Sequence, residues 1–264
     1  MYKKFILTSN ELINIKNQNS HWDNLVSIGS NRLKEIQKSI IDDLNEFTDL
    51  DGELQAEKII NNWFPNIDAD IFISHSHKDN ELILGLSGWL KEEFGLTTFI
   101  DSVVWGYSDD LLRIIDDRYC RNSYGNTYNY LKRNRSTSHV HMMLSTALMN
   151  MIDKCEVFIF IETENSFIPS KYLKSKGYTE STWIYSELSL VDKIRKNIPE
   201  RIKNDISHIP IMESLEDFKI KYNAKISNLE TLTYNDLNRW KETINTSDKT
   251  EYKLDKLYRL KEGG

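Results

Sequence analysis

Two stretches of this chain carry side chains able to do chemistry. The first is Ser74-His75-Ser76-His77-Lys78-Asp79, which gathers hydroxyls, imidazoles and a cation immediately before a predicted helix. A helix N-terminus so equipped suits phosphate or ribose. The second is "ESTWIYSELSLVDKI", starting at Glu180. Ser181 and Thr182 are its candidate caps, and Ile184, Leu188 and Val191 form an apolar face. At roughly 100° per residue, Glu187 falls with Trp183, Leu190 and Ile194, beside that face and not opposite it. Two readings of Glu187 stand at this point: a structural ion pair with Lys193 or Arg195, or a functional carboxylate. Trp183 is likewise either core or the wall of a site.

Other chemistries find less support. His75 and His77 form one H-x-H, and His139 and His141 a second. Only the first, on a strand-like segment, puts both rings on one face. On a helix, residues two apart diverge by roughly 200°, so the second pair cannot chelate. No metal site is expected. There is no G-x-G-x-x-G and no G-x-x-x-x-G-K-[ST], which argues against a Rossmann cofactor site or a P-loop. Cys155 precedes a buried strand and reads as a small apolar residue. With Cys120 it makes a pair of cysteines that fits a reducing cytosol better than a disulfide framework.

The composition is that of a globular chain: 264 residues, 39% apolar and 28% charged. A formal charge of −6 argues against general affinity for nucleic acid. The basic run "YLKRNRS" (Tyr130–Ser136) reads as an anion contact or as a solvated helix end. No stretch approaches the roughly 18 apolar residues of a membrane span, and "MYKKFILTSNELINIKN" has no signal-peptide cleavage pattern. The expected location is the cytoplasm, with no nucleic-acid or membrane partner.

The elements that must position these residues alternate. Before position 67 the pattern is mostly helical, with Leu33, Ile36, Ile40, Leu44 and Phe47 on one face from Asn31 onward and a second helix over Glu57–Trp63. From Asp70 strands take over: "DIFIS", "TTFID", "EVFIFIE" and a short "ISHIPI". Between them lie the helices "NELILGLSGWLKEEFG", with Gly95 as C-cap, "SDDLLRIIDDRY", "HVHMMLSTALMNMIDKC" and the Glu187 helix. "CRNSYGNTYNYLKRNRSTS" reads as an irregular insertion. "SLEDFKIKY" and "TYNDLNRWKETI" start with capping-box patterns, Ser214/Asp217 and Thr233/Asp236. The expected fold is α/β, an open parallel sheet. The expected segments are 1–67 (helical), 68–213 (the sheet, with an insertion at about 119–136) and 214–264 (a helical extension). Ligands of such sheets bind at the carboxyl ends of the strands.

"DIFISHSHKD" resembles the first strand and following loop of TIR (Toll/interleukin-1 receptor) domains. "TTFIDSVVWGYSDDLLRIID" is similar to that family's second strand, variable loop and next helix, and "EVFIFIETENS" to its hydrophobic fourth strand. "STWIYSEL" matches the family's W-x-x-x-E helix with Trp183 and Glu187 in place. The resemblance runs in order from about Asp70 to Ile211. The insertion is longer than the family pattern, and the flanking segments are outside it.

The resemblance implies a flavodoxin-like fold and, in enzymatic members of the bacterial type, cleavage of NAD at the nicotinamide–ribose bond. NAD is then a substrate and no cofactor is needed. Ordinary glycoside hydrolysis takes two carboxylates because the leaving oxygen must be protonated. Nicotinamide leaves from a cationic pyridinium, so one carboxylate, Glu187, suffices to stabilise charge developing on the sugar. Trp183 would wall the site. Ser74, His75, Ser76 and Asp79 would contact ribose or phosphate, and Phe72, Trp105 and Tyr107 are candidates for stacking. The chain is similar to the signal-producing TIR proteins of Thoeris anti-phage defence, which implies self-association through TIR surfaces and a separate effector reached through an ADP-ribose-derived product. Two alternatives remain: a non-catalytic TIR interaction module acting through Asp101–Ser108 and the N-terminal helices, and an enzyme resembling nucleoside deoxyribosyltransferases.

Overall fold

The computed structural model describes residues 1–37, 43–104, 108–124, 126–169, 177–205, 222–224, 226–245 and 247–262. Strand β1 (Lys3–Thr8) opens the chain on the buried run Phe5-Ile6-Leu7. Helices α1 (Ser9–Gln18) and α2 (Trp22–Gln37) follow, then a 3-10 turn at Leu44–Phe47 and α3 (Ala56–Trp63). The expected helix from Asn31 thus starts at Trp22, and Leu44 and Phe47 belong to a separate turn. The reason is packing. α2 lies against a later helix, with Trp22 and Leu25 buried.

β2 (Ile71–Ser74) is buried along its whole length and leads through a 3-10 turn (His77–Asp79) into α4 (Asn80–Phe94). Gly95 ends α4 in the left-handed region at φ 69°, a conformation glycine adopts without a Cβ clash. β3 (Thr98–Phe99), the short helix α5 (Asp101–Val104) and α6 (Ser108–Tyr119) come next. α7 runs over Tyr130–Lys154. It takes in the second half of the expected insertion because Asn129 caps it, accepting from the Lys132 amide at 3.1 Å. The irregular part is confined to the residues before Asn129. Arg133 pairs with the buried Asp116 at 2.9 Å, so the basic run is the first turns of a helix, most of its side chains exposed.

β4 (Val157–Glu162) is followed by β5 (Ile168–Pro169), β6 (Gly177–Thr179) and α8 (Thr182–Lys193). β7 (Tyr222–Ala224), β8 (Glu230–Thr231), α9 (Tyr234–Thr243) and α10 (Thr250–Glu262) complete the described chain. The expected strand over 206–211 and the Ser214/Asp217 cap lie outside the described residues. At α9 the expected capping box forms, Thr233 and Asp236 each accepting from the other's amide.

Among the described residues the main sheet has five parallel strands in the order β3-β2-β4-β1-β8. Flanked by helices, it gives a flavodoxin-like α/β fold. β5, β6 and β7 form a small antiparallel sheet apart from it. Residues 1–67 therefore keep a mostly helical character and also supply β1, beside β4. Residues 214–264 likewise add β8 at the edge. The chain crosses from β2 to β3 in one direction and from β3 to β4 in the other. Right-handed crossovers then place α4 and α6–α7 on opposite faces and make the gap between the carboxyl ends of β2 and β4 the topological switch point.

The α2–α4 contact is backbone-close. A Cβ on Gly88 would stand 1.9 Å from the Leu25 carbonyl oxygen, and one on Gly29 would stand 2.1 Å from that of Leu84. The C-terminal helices are tied to the end of α4. Trp240 stacks on Phe94 with ring centroids 3.9 Å apart, and the buried Lys253 donates to the Phe94 carbonyl at 3.0 Å. No helix of the described residues is long and apolar enough to cross a membrane.

Candidate functional site

β2 ends on Ser74, whose side chain is fully buried at the switch point. α8 starts on Ser181, which accepts from the Ile184 amide at 3.2 Å and so serves as its cap. That start fixes the rotation of the helix. Glu187 joins Ile184, Leu188 and Val191 on the buried side, at 1% exposure. The Ser74 hydroxyl donates to Glu187 Oε2. Among the described residues no cation lies within ion-pair distance of Glu187, so the pairing with Lys193 or Arg195 is not formed.

Asp101 is the second partner of Glu187. The expected strand "TTFID" stops at Phe99, and Asp101 opens α5 with its side chain 15% exposed and its carboxyl in hydrogen-bonding reach of Glu187. Burial and then the negative charge of Asp101 push the Glu187 carboxyl well above its ordinary value, and the Ser74 hydroxyl opposes them. Desolvation and a like charge both disfavour the ionised form, whereas a donor favours it.

His75 is buried beside this group. Its Nε2 lies 2.9 Å from Asn80 Oδ1 and 3.0 Å from Ser102 Oγ, and Ser102 itself donates to Asn80 at 2.8 Å. Asn80 Oδ1 is an acceptor only, so Nε2 donates to it, and the equally acceptor-only Ile73 carbonyl oxygen lies 3.4 Å from the opposite ring nitrogen. The other nitrogen, Nδ1, faces Asp101 Oδ1 at 3.9 Å. The rings of His75 and His77 are 6.1 Å apart. Among the described residues no group of three or more His, Cys, Asp or Glu side chains could hold a metal ion.

A cleft of about 210 Å³ opens here, lined by His75, Ser76, His77, Lys78, Asp101, Ser181, Trp183 and Glu187. Trp183 is half-buried and is a wall of the cleft, with the His141 ring 5.7 Å from its own. Ser76 lines the cleft and accepts from the Lys78 amide at 3.4 Å.

Three expected contacts are corrected. Ser74 is fully buried, gives its hydroxyl to Glu187 and does not line the cleft, so it holds the carboxyl instead of touching a ligand. Phe72 is fully buried, packed between Phe99 and Phe158 at 5.2 and 5.7 Å, and belongs to the core of the sheet. Its position in the middle of β2 leaves no face for a ligand. Both carboxylate oxygens of Asp79 are occupied, one by Thr163 Oγ1 at 2.6 Å and the other by Asn165 Nδ2 at 2.7 Å. Asp79 ties the loop after β2 to the end of β4. Trp105 and Tyr107 lie outside the described residues. Cys155 is buried, with its thiol pushed up to about 12, chiefly by burial, and is inert as a nucleophile. Sequence reasoning gave Asn80, Asp101 and Ser102 no role in catalysis or substrate binding, although Asp101 and Ser102 fall in the loop Asp101–Ser108 that it offered as an interaction surface. For Asp101 a signal existed, since a carboxylate directly after a buried strand stands where this fold binds ligands.

Fold and site together define a flavodoxin-like α/β protein whose switch-point cleft places a serine-bound carboxyl beside a second carboxyl, histidines and a lysine. Comparison with protein-family models, with curated proteins and with solved structures found no match to this chain.

Proposed function

We propose that this protein is a TIR-type NAD glycohydrolase or cyclase that cleaves the nicotinamide–ribose bond. Its product is an ADP-ribose-derived signalling nucleotide (linear, cyclic or conjugated) in anti-phage defence. The carrying observation is the Glu187 carboxyl, buried in a cleft wall one turn below Trp183 and held by Ser74. Nicotinamide departs as a neutral ring from a cationic glycoside, so no general acid is required. What the transition state needs is negative charge beside the sugar and a dry wall against the departing ring. Glu187 supplies the first and Trp183 the second. A volume of about 210 Å³ is below the 300–1,000 Å³ usual for a whole ligand site. It suits the nicotinamide–ribose end of NAD, leaving the diphosphate near His77 and Lys78 at the exposed rim.

In this reading the protein works in the cytoplasm, associates with itself through TIR surfaces and reaches a separate effector through its product. The test is incubation of concentrated protein with NAD, followed by mass spectrometry of the products. Stoichiometric nicotinamide and an ADP-ribose species support it, and intact NAD overturns it.

A second reading, a non-catalytic interaction module, is favoured by the large exposed side chains Tyr130, Leu131 and Met142 on α7. It expects partner binding that survives Glu187→Gln and no turnover of NAD.

A further inference from the structure

Charge stabilisation by Glu187 requires an ionised carboxylate, yet burial and the Asp101 carboxyl disfavour ionisation, opposed by the Ser74 hydroxyl. After burial, the neighbour that adds to this is Asp101. Among the described residues its Oδ1 is buried without a hydrogen-bond partner, 3.9 Å from His75 Nδ1, and Asp101 lines the same cleft wall as Glu187. An orphaned buried oxygen is costly, and it lines an open cleft instead of a packed core. The groups facing the pair are Ser74 from β2, His75, His77 and Lys78 from the loop after it, Ser102 from α5, and Trp183 from α8, with His141 of α7 behind Trp183. Among the described residues no Lys or Arg ion-pairs with either carboxyl.

We propose that Asp101 and Glu187 form a carboxyl pair that holds one proton in the empty cleft and releases it to solvent when a cationic ring docks against Trp183, so that Asp101 selects cationic N-glycosides over neutral ones. Two carboxyls at contact cannot both ionise without strong repulsion. A positive ring between them and the tryptophan face removes that repulsion and adds a cation–π contact. The displaced proton leaves by the exposed rim at His77. Binding of a cation and loss of the proton are therefore linked, and affinity rises with pH until the pair is fully ionised. A neutral ring cannot expel the proton. Asp101 acts through Glu187 and is a positioning residue. The proposal rests on reading the cleft as an NAD site, and it gives Glu187 its charge only when substrate is present.

The test uses the full chain and 1-methylnicotinamide, a pyridinium with no ribose to cleave, with neutral nicotinamide in parallel. Calorimetric titrations between pH 5.5 and 8.5, each in two buffers of different ionisation heat, give affinity and protons released. The pyridinium is expected to bind up to about tenfold more tightly per pH unit below the pair's titration and to release about one proton. Nicotinamide is expected to bind more weakly and release none. In Asp101→Asn the proton release at neutral pH falls. Carboxyl ¹³C resonances of the wild type supply a second readout, in which the Glu187 signal shifts to the ionised position on adding the pyridinium. Absent pyridinium binding, equal pH-independent binding of both probes, or proton release unchanged in Asp101→Asn overturns the proposal. Proton release as described without nicotinamide release from NAD sinks only the glycohydrolase reading.

Discussion

Ser74, the last residue of β2, donates its hydroxyl to Glu187, 113 residues further along the chain and on a different element. This bond fixes a carboxylate at the switch point of the sheet. Among the described residues it is also the hydrogen bond that favours the ionised form, against burial and Asp101. In Ser74→Ala the carboxyl loses that donor, at a cost of about 1–3 kcal/mol. Since about 1.4 kcal/mol is tenfold in rate, nicotinamide release should fall by about fivefold to 150-fold and its pH onset should move upward. Steady-state rates across pH check both, and an unshifted profile contradicts the assignment.

The buried Glu187 also sets a stability trend with a definite sign. Its folded-state pKa stands well above the ordinary 4.5, so the folded chain binds that proton more tightly than the unfolded one. The stability it confers is full below pH 4.5 and is lost as pH rises through the folded value. Gln keeps the shape and cannot ionise. Glu187→Gln should therefore melt above the wild type at pH 8, with the difference shrinking toward pH 4.5. For a chain of this size 1 kcal/mol corresponds to about 2–4 °C. Thermal melts across pH decide it, and a variant less stable than the wild type at pH 8 would refute the sign.

Asp79 separates a structural from a ligand-binding role. Its removal in Asp79→Ala leaves Thr163 and Asn165 without their acceptor and should lower stability by about 1–3 kcal/mol. The KM for NAD should stay close to that of the wild type. An unchanged melting temperature with a raised KM would return Asp79 to the substrate.

Gly88 tests how the N-terminal helices are fastened. Alanine there forces a methyl to 1.9 Å from the Leu25 carbonyl oxygen, and the neighbour is backbone, which cannot swing away. Overpacking of this kind costs about 1–3 kcal/mol or more. The urea midpoint of Gly88→Ala should fall accordingly. An unaltered midpoint would mean that α2 is not held against α4 as described.

Helix signals in the sequence were local and legible. Gly95 and the Thr233/Asp236 box end and begin helices through contacts only a few residues away. β1 was not legible, because a run as short as Phe5-Ile6-Leu7 behind two lysines is a strand only by pairing with residues 157–162 and 230–231. β6 and β7 are likewise made by pairing alone. At the site, Glu187 and Trp183 could be placed from helical spacing. The opposite fates of Ser74 and Phe72, two residues apart in one strand, depend on where β2 ends against β4. Asp79 looked like a ligand for the same reason that it is structural: it stands at the switch point, where Thr163 and Asn165 of the neighbouring strand end can reach it.

The central claim is that Glu187 carries nicotinamide loss. Its most direct test is the rate of nicotinamide release from NAD by wild type and Glu187→Gln, at protein concentrations high enough for self-association and with folding confirmed by thermal melts. The expected result is measurable release by the wild type and a loss of at least about a hundredfold, near 2.7 kcal/mol of transition-state stabilisation, in the variant. Undiminished release by a folded Glu187→Gln, or none from the wild type, contradicts it.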